Sequence, residues 1–221
     1  MKNQNNIIVS DGIPFILTAF LITVTVAILL FYYAPKIAVY VTIIFLALSF
    51  FIAAFFRNPN RIIPADPKAI VSPADGRVID IREVYENDFL KEDVIKISVF
   101  MSIFNVHVNR VPMDGKAVKI SYFPGKFFVA SLDKASSENE QNRIVIESDN
   151  GTRIIVVQIA GIVARRIVSY VNEGDVLKKG LRFGLIRFGS RLDLYLPKGT
   201  EVSVSVGDKV KGGESIMGVL P

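Results

Sequence analysis

"VNEGDVLKKG" (171–180) and "VSVGDKVKGG" (204–213) are one pattern written twice, 33 residues apart. Val171, Gly174, Asp175, Lys178 and Gly180 recur as Val204, Gly207, Asp208, Lys211 and Gly213. Each copy runs into an apolar stretch, "FGLIRF" (183–188) and "IMGVL" (216–220). Glycines at fixed places between short apolar runs mark tight turns. Self-similarity at a fixed period marks a repeated supersecondary unit. The repeat predicts two related β-hairpins folded together.

The sequence around the repeat has the same β texture. "VIKISVFMS" (94–102), "GKAVKISYFP" (115–124), "NRIVIESDN" (142–150) and "TRIIVVQIAG" (152–161) read as strands, with "DNG" (149–151) as a hairpin turn. In "IRFGSRLDLYLP" (186–197), Leu192, Leu194 and Leu196 share one face of a strand, and Asp193, Tyr195 and Pro197 the other. "VARRIVSYV" (163–171) fits a short helix or a strand, and its branched residues favour strand. The expected fold class is mainly β. The repeat resembles the hammerhead barrel of biotinyl/lipoyl-type domains. Such carriers hold a modifiable lysine on an exposed hairpin, between methionines or acids. No lysine stands so here, and the resemblance is to the architecture only.

The N-terminal quarter is different. Residues 12–35 and 37–56 carry no charge, and only Lys36 separates them. A bilayer core of ~30 Å needs about 20 apolar residues as helix, so a transmembrane hairpin is expected, with helices at about 12–34 and 37–56. "YYAPK" (32–36) makes the turn, with Tyr32 and Tyr33 at one interface. No small-residue cleavage site follows the first segment, which argues against a signal peptide. Buried core helices are the alternative, but these should show a polar face. The expected division is a membrane anchor, 1–56, and a β domain, 57–221. Arg57, Arg61 and Lys68 follow the second helix, which favours the cytoplasm for that domain.

Residues 57–221 hold 24 basic and 20 acidic residues. That mild excess suits a surface facing anionic lipid, and without a basic–aromatic stripe it gives no sign of a nucleic-acid partner. There is no cysteine and one histidine, His107. Disulfides, thiolate zinc sites and histidine-rich metal sites are thereby excluded.

Four stretches of the β part carry candidate chemistry: "FFRNPNR" (55–61), "VSPADGRV" (71–78) with Asp75, "FMSIFNVHVNRVPMDG" (100–115) with His107, and "RFGSR" (187–191) with Ser190. Taken singly, Asp75 reads as a turn residue, His107 as a packed one, and the Gly-Ser as a loop. Together and in this order they resemble the phosphatidylserine decarboxylase proenzymes. "PGKFFVASLDKASSENEQNR" (124–143), "GIVARRIV" (161–168) and the short chain with its amino-terminal hairpin point to the short-form (archaeal-type) branch.

The resemblance implies a chemistry. Removing carbon dioxide from an α-amino acid leaves a carbanion that needs an electron sink, which most enzymes borrow from pyridoxal phosphate. In this family a ketone at a new N-terminus replaces it. The Ser190 hydroxyl would attack the Gly189 carbonyl, the amide would become an ester, and elimination would break the chain. Residues 1–189 and 190–221 would then form a large and a small chain, the latter headed by a pyruvoyl group from Ser190. Gly189 leaves room for attack and permits strained backbone angles. The ketone would form a Schiff base with the amine of the lipid's serine headgroup. His107 is the expected proton donor to Cα, because imidazole titrates near neutrality. Asp75 would orient or charge that imidazole. Lys126, Arg165 and Arg166 are candidates for the lipid phosphate, or are solvated surface charges.

The implied cofactor is the covalent pyruvoyl group, with no metal and no pyridoxal phosphate. The implied partners are a membrane phospholipid and the two chains of one proenzyme; a homodimer stays open. The implied location is the cell membrane.

The chain departs from the family pattern in two places. Longer members have a second histidine where Arg110 stands, and read Leu-Gly-Ser-Thr where this chain reads Phe-Gly-Ser-Arg. Arginine cannot serve as the base of self-cleavage, since its pKa lies above ~12. His107 then serves both steps, or water or Asp75 assists. Two alternatives accompany this reading: the same chemistry on an archaeal ether-linked serine lipid, or a non-enzymatic membrane-anchored barrel adaptor.

Overall fold

The computed structural model describes residues 4, 6–130, 138–161, 166–186 and 190–221. The chain forms two compact units, Asn5–Asn60, and Arg61–Pro221 together with Met1–Gln4.

The first unit is a helical pair, α1 (Ile13–Tyr33) and α2 (Pro35–Phe55). Ala34 alone separates them. The second helix begins at Pro35, two residues before the sequence reading put it, because the fixed φ of proline suits the first helical position. Leu17, Leu21, Ile28 and Phe31 of α1 and Tyr40, Ile44 and Phe50 of α2 are exposed. A soluble core helix would bury such a surface, so the pair is compatible with membrane association. Thr23 is paired inside it. The Thr23 hydroxyl lies 2.9 Å from that of Ser49 and 2.8 Å from the Ala19 carbonyl. An apolar medium demands such satisfaction.

The second unit is mainly β. Its strands are β1 (Ala69–Val71), β2 (Gly76–Glu86), β3 (Glu92–Met101), β4 (Val108–Arg110), β5 (Gly115–Phe123), β6 (Gln141–Glu147) and β7 (Arg153–Ala160). There follow β8 (Ile167–Ser169), β9 (Val176–Leu177), β10 (Arg182–Ile186), β11 (Ser190–Pro197), β12 (Glu201–Val202), β13 (Lys209–Val210) and β14 (Ile216–Val219). One curled sheet runs β13-β2-β3-β11-β7-β6-β5-β9, and two three-stranded sheets run β1-β14-β12 and β4-β10-β8. The four long strands expected from the sequence are β3, β5, β6 and β7. Of the ambiguous segment, 167–169 is strand β8 and 162–165 lie outside the described residues.

The repeat is real and wider than its ten-residue signature. Gly174 and Gly207 turn at φ of 92° and 101°, and Gly180 and Gly213 at 79° and 80°. Only glycine takes these angles without strain. Asp175 accepts from the Asn172 N–H at 2.9 Å, as Asp208 does from the Ser205 N–H at 2.8 Å. Gly115 pairs with Leu177 as Gly76 pairs with Val210. Val108, Asn109 and Arg110 pair with Leu185, Gly184 and Arg182. Ala69, Ile70 and Val71 pair in the same way with Val219, Gly218 and Ile216, and the register shifts at the corresponding step. The halves meet reciprocally: the Val71 N–H donates to the Pro112 carbonyl and the Arg110 N–H to that of Pro73, both at 2.9 Å. This is the hammerhead-like architecture the repeat predicted, built from two copies of one unit.

Strand β11 sits near the middle of the large sheet, paired along its length with β3 and over residues 190–195 with β7. Leu192, Leu194 and Leu196 are fully buried in the main core with Ile97, Val99, Met101, Ile154 and Val156. Each such leucine contributes about 2 kcal/mol of apolar burial.

Candidate active site

Ser190 opens β11, directly opposite Met101 of β3 and Ala160 of β7. It shares the face of Leu192, so its side chain points into the core, and it is fully buried. Its Oγ has no hydrogen-bond partner among the described residues. An unmade hydrogen bond on a buried hydroxyl costs about 1–3 kcal/mol. A serine that served only the turn would bond to the backbone or to water. Gly189, the other half of the expected cleavage site, lies outside the described residues.

His107 is also fully buried. It immediately precedes β4, and its carbonyl accepts from the Ile186 N–H at 3.4 Å, which sets it beside the exit of β10. Ser190 follows Ile186 by four residues, a reach of at most ~14 Å of extended chain. The His107 Nδ1 lies 3.0 Å from the Asn105 carbonyl. A carbonyl can only accept, so Nδ1 carries the proton, and in the neutral ring Nε2 has the lone pair. Asn105 is itself fixed, because its Oδ1 accepts from the Ser102 N–H and hydroxyl at 2.9 and 2.8 Å.

Asp75 has partners that the sequence did not suggest. Both carboxylate oxygens take Arg61 Nη2, at 2.9 and 2.8 Å, and Oδ1 also accepts from the Gly212 N–H at 2.8 Å. The Arg61 side chain is 7% exposed and reaches Glu214 as well, at 3.5 Å. Asp75 thereby ties Arg61 to the turn at Gly212.

Comparison with known proteins gives the family. The family model described as phosphatidylserine decarboxylase matches residues 48–218. A phosphatidylserine decarboxylase proenzyme of Geotalea uraniireducens is 50% identical over the whole of both chains. That of Geobacter metallireducens is 50% identical, again over the whole of both. That of Syntrophus aciditrophicus is 49% identical over 98% of this chain and 99% of its own. This chain belongs to the phosphatidylserine decarboxylase family. It is an enzyme that decarboxylates phosphatidylserine, and the coupling of apolar helices to a β domain suits a substrate that resides in a bilayer.

The remaining candidates of the decarboxylase are less enclosed. Lys126 is exposed and pairs with Glu138 at 2.9 Å, with its ammonium 5.6 Å from the Phe128 ring centre. Arg166 is exposed, and Arg165 lies outside the described residues. Arg110, at the place of the second histidine, is buried and donates to the Gly180 carbonyl at 2.8 Å. Burial first, then repulsion from Arg182 and Arg61, pulls its pKa down to about 10. It still carries its charge at neutral pH.

Three features of the site were missed in the sequence. Asp114 of the other half accepts from the Lys179 N–H at 2.8 Å, as Asp75 does from Gly212. The second feature is on the far face of β11, which is also closed. Arg191 and Asp193 are fully buried there. Arg191 Nε donates to Asp193 at 2.6 Å and Nη2 to the Ser98 hydroxyl at 2.7 Å, while Lys96 sits 3.1 Å from Asp193. Burial and the Asp193 charge push the neighbouring Tyr195 phenol up. The third is a chain of buried amides on the core face: Asn142 donates to Gln158 at 2.9 Å, and Gln158 to Asn109 at 2.7 Å. The first could have been found by aligning "PADG" (73–76) with "PMDG" (112–115). The other two join residues far apart in the chain, and no local signal marks them.

Proposed function

We propose that the chain is a short-form proenzyme that cuts itself between Gly189 and Ser190 and uses the new terminus to convert phosphatidylserine to phosphatidylethanolamine. The buried, unbonded hydroxyl of Ser190 carries this reading. It sits where a nucleophile is needed, shielded from water. His107, whose Nδ1–H donates to the Asn105 carbonyl, offers Nε2 to accept the serine proton and return it to the departing nitrogen. A pyruvoyl group at residue 190 would supply a carbonyl for the substrate amine and an electron sink for the carbanion. In decarboxylation His107, once protonated at Nε2, delivers a proton to Cα. Asp75 acts through Arg61 and Gly212, holding the segment beside Arg110. Lys126, Arg165 and Arg166 remain the proposed contacts of the lipid phosphate.

After cleavage the chains stay together, since both neighbours of β11 belong to the large chain. The 1–56 segment acts as the anchor, and Arg57 and Lys68 against Lys36 favour a cytoplasmic β domain. The short-form assignment is supported by relatives that match over their whole length. All three are bacterial, and neither the ether lipid nor the adaptor reading is favoured.

His107→Ala tests the assignment with two readouts, chain cleavage and release of carbon dioxide. Loss of decarboxylation is expected. Persistent cleavage in that variant assigns activation of Ser190 to another group, and full decarboxylation with alanine at 107 refutes the role of the imidazole.

A further inference from the structure

The two halves of the β unit allow an internal comparison. Asn109 of β4 corresponds to Ile70 of β1, since they pair with Gly184 and Gly218 at matching positions. Asn142 of β6 corresponds to Ile95 of β3, since they pair with Tyr122 and Glu83 at matching positions of β5 and β2. One half fills these places with isoleucines that belong to or pack on the main core. The fold itself therefore accepts aliphatic side chains there. The half that leads into Ser190 carries amides instead, both at most 4% exposed, and joins them through Gln158, which is fully buried.

The chain of amides has a direction. Asn142 Nδ2 donates to Gln158 Oε1, and Gln158 Nε2 donates to Asn109 Oδ1. Gly184 makes room for it, since a Cβ there would stand 2.7 Å from Gln158 Nε2. The last donor, Asn109 Nδ2, ends on the sulfur of Met101 at 3.8 Å. A thioether is a weak acceptor. Met101 is the residue directly opposite Ser190. A fixed N–H donor that ends on the residue opposite a buried hydroxyl, itself without a partner among the described residues, suits a developing oxyanion.

We infer that Asn109, oriented by Gln158 and Asn142, is a positioning residue for self-cleavage, donating Nδ2–H to the Gly189 carbonyl oxygen as Ser190 attacks it. The inference rests on the proposed cleavage between 189 and 190. In that step the Oγ–C bond forms, the hydroxyl proton passes to His107, and negative charge gathers on the carbonyl oxygen. The C–N bond then breaks, and the same proton goes to the nitrogen of residue 190. Asn109 holds the oxygen throughout and exchanges no proton. An amide that merely satisfied Gln158 would have no part in this.

The test follows full-length chain made in a cell-free system with phospholipid vesicles, by the rate at which the intact mass gives way to two chains. Cleavage about 100-fold slower is expected when such a donor is lost. The triple variant Asn109→Ile, Asn142→Ile, Gln158→Leu removes the whole chain of amides and leaves no orphan behind. A structural role predicts that it cuts normally, and the inference predicts that it folds and cuts slowly. Wild-type cleavage rates in the folded triple variant overturn the inference alone. A wild-type chain that stays intact would instead overturn the reading of Ser190 on which it rests.

Discussion

Replacing Asp193 by alanine should loosen the hold of the large chain on the small one. Asp193 is fully buried and takes Arg191 Nε at 2.6 Å and Lys96 at 3.1 Å. Arg191 and Asp193 lie on the C-terminal side of the proposed cut, and Lys96 and Ser98 on the other. Without the carboxylate, two cations stay in a closed space with the Ser98 hydroxyl as the remaining polar partner shown for Arg191. Removing one member of a buried ion pair costs about 3–5 kcal/mol, because the partner charge is left uncompensated. For a chain of this size each kcal/mol lowers the melting temperature by about 2–4 °C. A fall of roughly 6–20 °C is therefore expected for Asp193→Ala, measured by calorimetry in detergent. Lys96→Met, Arg191→Met and Asp193→Leu combined should recover much of the loss, since a buried ion cluster is often replaceable as a unit. Asp193→Ala melting within 2 °C of the wild type would refute the view that this cluster holds β11 in place.

Two further substitutions test the duplicated architecture. Asp75→Ala and Asp114→Ala each remove an acceptor from a matching turn, Gly212 or Lys179. The lost turn bond costs about 1 kcal/mol in each, and Asp75→Ala should lose more stability, because it also leaves the nearly buried Arg61 short of a carboxylate; decarboxylation should fall only in Asp75→Ala, and equal activity in the two variants would take Asp75 out of the site. Gly184→Ala would place a Cβ 2.5 Å from the Val168 carbonyl and 2.7 Å from Gln158 Nε2. Overpacking of about 1–3 kcal/mol and slower chain cleavage should follow, and a variant with unchanged melting and cleavage would contradict the tight fit at this position.

The hairpin repeat was legible because its turns need glycine at left-handed φ, and Gly174, Gly180, Gly207 and Gly213 print that need into the sequence. The long strands were legible from alternation, and the helical pair from 44 uncharged residues flanking Lys36. Ser190 and His107 stood out by resemblance, and burial gave them a physical setting the sequence lacked. Asp75 reads differently in three dimensions, because its partner Arg61 lies in a segment whose basic residues looked like a membrane-side cluster. Asp193 alternates with leucines as a solvent-facing residue would, yet residues of β3 close over it. The amide chain Asn142–Gln158–Asn109 crosses between β6, β7 and β4, so only the sheet order brings it together.

The central claim is that the chain remakes its own backbone at Ser190, and intact mass spectrometry of the purified wild-type protein beside Ser190→Ala tests it most directly. The wild type should appear as two chains, 1–189 and 190–221, with the small chain blocked to Edman sequencing because a pyruvoyl terminus has no amine. Ser190→Ala should appear as one chain without activity. An active wild-type preparation consisting of a single uncut chain would contradict the account.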